Sequence, residues 1–215
     1  MKALIVSSYD KSIFPHLDSV KFFEYLVKEV GMIKDDIFFY GRAEHKAKIS
    51  FYNILFRICE LSKDEPLIIY YSGHGLKTGW DFERDTAIPY EAIFFFLEKR
   101  NAPLIFINDC CYGMVAADFM KEIKHSKLLI GLAPKECEGE ASPKSILLTE
   151  IFRYWRRGRL ADPRFCVKKG TYCRYLVEKD KTKKRKINLR WGDALDHILF
   201  SLKFKKKKKD PPKPL

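Results

Sequence analysis

A histidine between two glycines, Gly73-His74-Gly75, and a pair of cysteines, Cys110-Cys111, each stand just beyond a short apolar run, Leu67 to Tyr71 and Leu104 to Asn108. A thiol attacks a carbonyl only as thiolate, and its free pKa near 8.5 keeps it mostly protonated at neutral pH, so it needs a neighbouring base. An imidazole is that base in Cys-His catalysis. If the two runs are adjacent parallel strands, their carboxyl ends open on one edge of a sheet, where ligands bind in open α/β folds. The bare backbone at Gly73 and Gly75 would let a substrate carbonyl approach His74. The amides of Gly75 and of the nucleophilic cysteine would then hold the oxyanion of a tetrahedral intermediate, each donor contributing roughly 3 to 4 kcal/mol.

The elements that must hold these groups can be read along the chain. Strand-like runs fall at Ala3 to Ser7, Ile37 to Tyr40, Leu67 to Tyr71, Leu104 to Asn108 and Leu128 to Leu132. Those at 67, 104 and 128 are continuously apolar, as strands covered on both faces are. Helical patterns lie between them, at about 17–30, 45–62, 89–100, 113–124 and 143–157; in the first, Val20, Phe23, Leu26, Val27 and Val30 form one apolar stripe. Such alternation predicts an α/β fold with a mostly parallel central sheet flanked by helices.

The string Tyr70-Tyr71-Ser72-Gly73-His74-Gly75, followed by Asp109-Cys110-Cys111-Tyr112-Gly113, resembles the caspase-like cysteine peptidases, nearest to metacaspases and related to paracaspases and legumains. The resemblance in element order covers roughly residues 1–160, and about a dozen residues carry it at motif level. It implies a caspase-hemoglobinase-like three-layer sandwich, with His74 as base and Cys111 as nucleophile two positions after an acidic residue. Cys110 is then a small buried hydrophobe. The resemblance also implies that Asp109 lines the pocket for the side chain before the cleaved bond and selects Arg or Lys, since a carboxylate suits a guanidinium. Glu138, in the acidic loop Glu136-Cys137-Glu138-Gly139-Glu140, is a candidate second wall of that pocket. Two features depart from the family. His74 and Cys111 are 37 residues apart, against about 50 in caspases, so one helix and short loops must suffice between them. Tyr112-Gly113 stands where metacaspases usually carry His-Ser-Gly.

Plainer roles stand beside these. His74 can be a satisfied loop histidine, Asp109 can cap the helix that follows it, and Glu136, Glu138 and Glu140 can form a solvated loop.

At 215 residues and 47% hydrophobic content the chain can bury one good core. The expected organisation is one domain over 1–202, with a core at 1–160 and a basic hairpin and terminal helix at 161–202, then a disordered Lys/Pro-rich tail at 203–215. No run of 18 apolar residues and no signal-peptide pattern is present, so a cytoplasmic protein without a membrane span is expected. Six irregularly spaced cysteines do not form a secreted disulfide framework, and most should be reduced. Cys166 and Cys173 lack the second pair that a zinc site needs. No metal or other cofactor is expected, and Asp81, Glu83 and Asp85 are too generic to specify a calcium site.

Charge divides the chain. Residues 1–152 hold 19 Lys+Arg against 22 Asp+Glu, a net of −3, while residues 153–215 hold 22 against 6, a net of +16. The basic part includes Arg156-Arg157-Gly158-Arg159, hairpin arms at 171–178 and 186–191, and Lys205 to Lys209. Three functions therefore compete. The leading one is an endopeptidase acting on protein or peptide substrates after Arg or Lys. The second is an inactive caspase-like module that binds nucleic acid or another anionic surface through the basic third. The third, a thiol enzyme acting on a small molecule, lacks a phosphate-cradling glycine loop. Monomer and homodimer both remain open at this stage.

Overall fold

The computed structural model describes residues 1–8, 13–41, 50–61, 63–83, 86–120, 123, 127–131, 145–156 and the backbone of 173–177. Five parallel strands form the centre: β1 (Lys2–Ser7), β2 (Ile37–Tyr40), β3 (Leu67–Ser72), β7 (Leu104–Asp109) and β8 (Lys127–Gly131). The spatial order is β2-β1-β3-β7-β8-β9, and β9 (Cys173–Val177) runs antiparallel to β8. β3 and β7 are buried at every position, so their sequences read as apolar runs rather than alternations.

Right-handed crossovers dictate which face each helix covers. The chain leaves β1 for β2 in one direction and returns past β1 to β3 in the other. Helix α1 (Phe14–Tyr25) therefore covers one face and α2 (Phe51–Glu60) the opposite face. With α1, helix α5 (Ile146–Arg156) closes a layer in which Phe22, Tyr25, Leu147, Ile151 and Trp155 meet Ile5, Tyr70, Ile107 and Ile130. Across the sheet, α2, α3 (Tyr90–Leu97) and α4 (Ala116–Met120) set Ile54, Ile58, Ile93, Phe94 and Met120 on Leu4, Ile69, Tyr71 and Phe106. The result has a layer of helices on each side of a mostly parallel sheet.

The helix ends follow local chemistry. Pro15 opens α1, where its missing N–H is no loss. The helix widens over Leu26–Val30 and stops at Gly31, whose φ of 78° suits a residue without Cβ. Ser50 and Asn53 form a reciprocal capping box at the start of α2.

The expected strands and helices all have counterparts here, although Ile123, in the expected 113–124 helix, is not helical; residues 45–49, 62, 121–122, 124, 132, 143–144 and 157 of these readings lie outside the described residues. The segment between His74 and Cys111 differs from the expectation of one helix and short loops. It adds a second, antiparallel sheet of β4 (His74–Leu76), β5 (Gly79–Glu83) and β6 (Thr86–Pro89) before α3. A two-residue turn at Lys77-Thr78 permits so short a hairpin. Of the expected basic hairpin, 173–177 forms β9; the arm at 186–191, the terminal helix and the tail lie outside the described residues. Among the described residues, no helix is long and apolar enough to cross a membrane.

Candidate functional site

β3 and β7 pair in register up to their last residues, Ser72 opposite Asp109, and the Gly73 amide then donates to the Asp109 carbonyl at 3.3 Å. Both chains therefore leave the sheet side by side at its carboxyl edge. His74 lies two residues past one rung end, and Cys111 two residues past the other. His74 is exposed and Cys111 half-buried.

Gly75 packs directly on the nucleophile turn. A Cβ there would collide with the Cys111 carbonyl and come within 2.9 Å of the Cys110 sulfur. The bare backbone expected to admit a substrate carbonyl is thus taken up by the turn itself, which corrects that part of the reading. The Gly75 amide has a different freedom. Leu76 and Gly79 close the two-residue hairpin as a hydrogen-bonded pair, so the next pair, Gly75 and Trp80, is a non-hydrogen-bonded one. The Gly75 amide therefore lies outside the β4–β5 ladder. Gly73 is needed for another close approach, since a Cβ there would strike the Ser8 side chain.

Strand alternation carries on into the turn and sorts its side chains. Asp109 faces the α1/α5 layer, while Cys110 joins the opposite core at 2% exposure. Burial drives the Cys110 thiol far above its ordinary pKa, against the opposing contact with the Tyr90 hydroxyl at 4.0 Å. Cys110 is therefore inert at neutral pH, leaving Cys111 as the thiol at the edge. Tyr112, next in the chain, adopts the left-handed conformation with φ 52°, a strained state for an aromatic residue. Gly131 on β8 leaves room beneath, where a Cβ would meet the Met114 sulfur at 2.8 Å and the Gly113 carbonyl carbon at 3.0 Å.

Asp109 is 6% exposed and accepts hydrogen bonds from the Tyr70 hydroxyl at 2.9 Å and from the Ser145 hydroxyl. Ser145 is the N-cap of α5, also accepting from the Leu148 amide at 2.9 Å. Asp109 thus ties β3 and α5 together; the bonds seen at its carboxylate do not cap the helix that follows. Burial pushes its carboxyl up from 3.8 to about 6, the two hydrogen bonds oppose this, and the charge of Asp18 adds to the rise. Asp18, on α1, is 5% exposed and ion-paired with Lys21 at 2.9 Å.

Sequence reasoning missed Asp18, Tyr70 and Ser145 as parts of this site. Ser145 carried a readable signal, a serine just ahead of a helical pattern. Asp18 had only its place one turn inside a helix opened by proline, and Tyr70 read as an ordinary strand residue. Glu138 lies outside the described residues. Among the described residues, Cys59, Cys110 and Cys111 form no disulfide. Among the described residues, no group of three or more His, Cys, Asp or Glu side chains is arranged to hold a metal ion.

No protein-family model and no curated protein matches this chain.

Proposed function

We propose that this chain is a caspase-like cysteine endopeptidase that cleaves after arginine or lysine through a Cys111-His74 dyad. The observation that carries the reading is the in-register end of β3 and β7, from which His74 and Cys111 emerge at equivalent positions with Gly75 against the Cys111 backbone. Cys111 attacks the substrate carbonyl as thiolate, His74 having taken its proton. The amides of Gly75 and Cys111 hold the oxyanion. His74 then gives its proton to the leaving amine, and water hydrolyses the acyl-enzyme with His74 again as base.

Two buried carboxylates support selection of a basic side chain. Asp109 sits two residues before the nucleophile, and Asp18 is close enough to influence its ionisation. A guanidinium at Asp109 would neutralise a charge that burial alone makes unfavourable. Asp18 is added here to the substrate-binding residues Asp109 and Glu138. The net charge of +16 on residues 153–215 favours a second reading, a module that binds nucleic acid or another anionic surface.

Labelling with an arginine-directed, thiol-reactive acyloxymethyl ketone, followed by mass mapping, tests the leading reading. The adduct is expected on Cys111, absent in Cys111→Ala and slowed in His74→Ala. Modification of Cys59 alone, or labelling indifferent to His74, would remove the mechanism.

A further inference from the structure

We propose that Asn108 is a positioning residue that fixes His74 relative to Cys111, acting on β5 through Trp80 and on the nucleophile turn through Gly113 and Tyr90. This rests on the dyad described above and concerns how it is held together.

Asn108 is the penultimate residue of β7 and is fully buried. Its Oδ1 accepts from the Trp80 indole N–H at 2.9 Å, and its Nδ2 donates to the Gly113 carbonyl at 2.9 Å and to the Tyr90 hydroxyl at 3.2 Å. The orientation of the amide follows from its partners, because an indole N–H can only donate and a carbonyl can only accept. Tyr90, having accepted from Asn108, can turn its own proton to the Cys110 sulfur at 4.0 Å. Asn108 thus grips the turn at Gly113 directly and at Cys110 through Tyr90. The two residues between those grips are Cys111 and Tyr112.

The other limb begins at Trp80. Trp80 pairs with Gly75, and its neighbour Asp81 pairs with His74. The indole stacks between Tyr71 at 4.5 Å and Phe106 at 5.7 Å, and the Tyr71 hydroxyl is shared between the carbonyls of His74 and Asp81 at 2.7 and 2.9 Å. Stacking holds the plane of the indole but leaves it able to slide. The bond to Asn108 sets its depth, and with it the height of β4 above the main sheet. A small displacement there separates the reacting groups, whereas Asp109, on the opposite face, is untouched.

Trp80→Phe keeps the stacking and removes the N–H, so it isolates the proposed role; Tyr90→Phe and Asn108→Leu extend it. The readouts are kcat and KM on an arginine reporter, and the pH profile of iodoacetamide alkylation at Cys111, mapped by mass, with exposed Cys59 as internal reference. Trp80→Phe is expected to lower kcat about tenfold with little change in KM, and to change the pH profile of Cys111 alkylation relative to that of Cys59. Asn108→Leu should lower kcat about a hundredfold, the effect of a displacement of about 1 Å. If both phenylalanine variants fold and melt at lower temperature but keep the wild-type profile and kcat, Asn108 is only core filling and the inference falls. His74→Ala separates the two levels of the argument. An unshifted Cys111 profile in that variant sinks the dyad itself, whereas a shift there with none in Trp80→Phe sinks the positioning role alone.

Discussion

On the proposed reading, Asp109 bears two demands that pull against each other, since burial favours its protonated form and a basic substrate would need its charged form. The sign of the folding effect follows from the raised pKa of about 6. Between the ordinary value of 3.8 and about 6, the folded chain retains a proton that the unfolded chain releases, so this group's contribution to stability falls as pH rises through that window. Asp109→Asn should flatten the dependence of the denaturation midpoint between pH 4 and 6, which a denaturant series at stepped pH would measure. Binding has the opposite sign, because a guanidinium favours the carboxylate. KM for an arginine reporter should therefore rise below about pH 6 in the wild type, and Asp109→Asn should raise it at neutral pH by about one to two orders of magnitude, the worth of a charge-assisted pair. A neutral reporter provides the control. Equal losses on both reporters would make Asp109 a strut between β3 and α5 and nothing more.

At the scale of elements, the small antiparallel sheet matters most and was the hardest to read. The strands at 67, 104 and 128 were legible because burial on both faces turns each into a continuous apolar run, and the first helix was legible from its apolar stripe. β4, β5 and β6 are three to five residues long, too short for periodicity to register. What orders them is distant in sequence: Trp80 reaches Asn108, 28 residues on, and no local pattern announces that partnership. The same limit hid Asp18, whose burial depends on how α1 rotates onto the sheet. The motif residues themselves were legible, because glycine at 75 is demanded by contact with the Cys111 carbonyl. Gly75→Ala should therefore force β4 away from the turn and cut kcat about a hundredfold, with a smaller effect on KM. A kcat within twofold of wild type would mean that the two segments move independently. Tyr71→Phe tests the same sheet from beneath. It strips a shared donor from two carbonyls and should destabilise the fold by about 1–3 kcal/mol, with faster amide exchange concentrated in β4 and β5.

For the whole molecule, the division of charge sets the two functional readings against each other. β9 places residues 173–177 of the basic third on the central sheet beside β8. If it binds phosphates, each neutralised contact lowers the slope of log affinity against log salt by about 0.9 for duplex DNA. Replacing Lys205 to Lys209 with glutamine in the 215-residue chain removes five charges, so up to about four to five units of that slope should disappear. Fluorescence anisotropy with a labelled duplex across a salt series measures this directly. Turnover of a short arginine reporter should be unchanged in the same variant, since none of the five lysines is among the residues assigned to the proposed dyad or to substrate selection. An unaltered slope would clear these lysines of any phosphate contact. Loss of binding from a chain whose Cys111 also resists the acyloxymethyl ketone would shift the balance to the binding module, because the anionic partner would then be the only ligand the molecule is known to take.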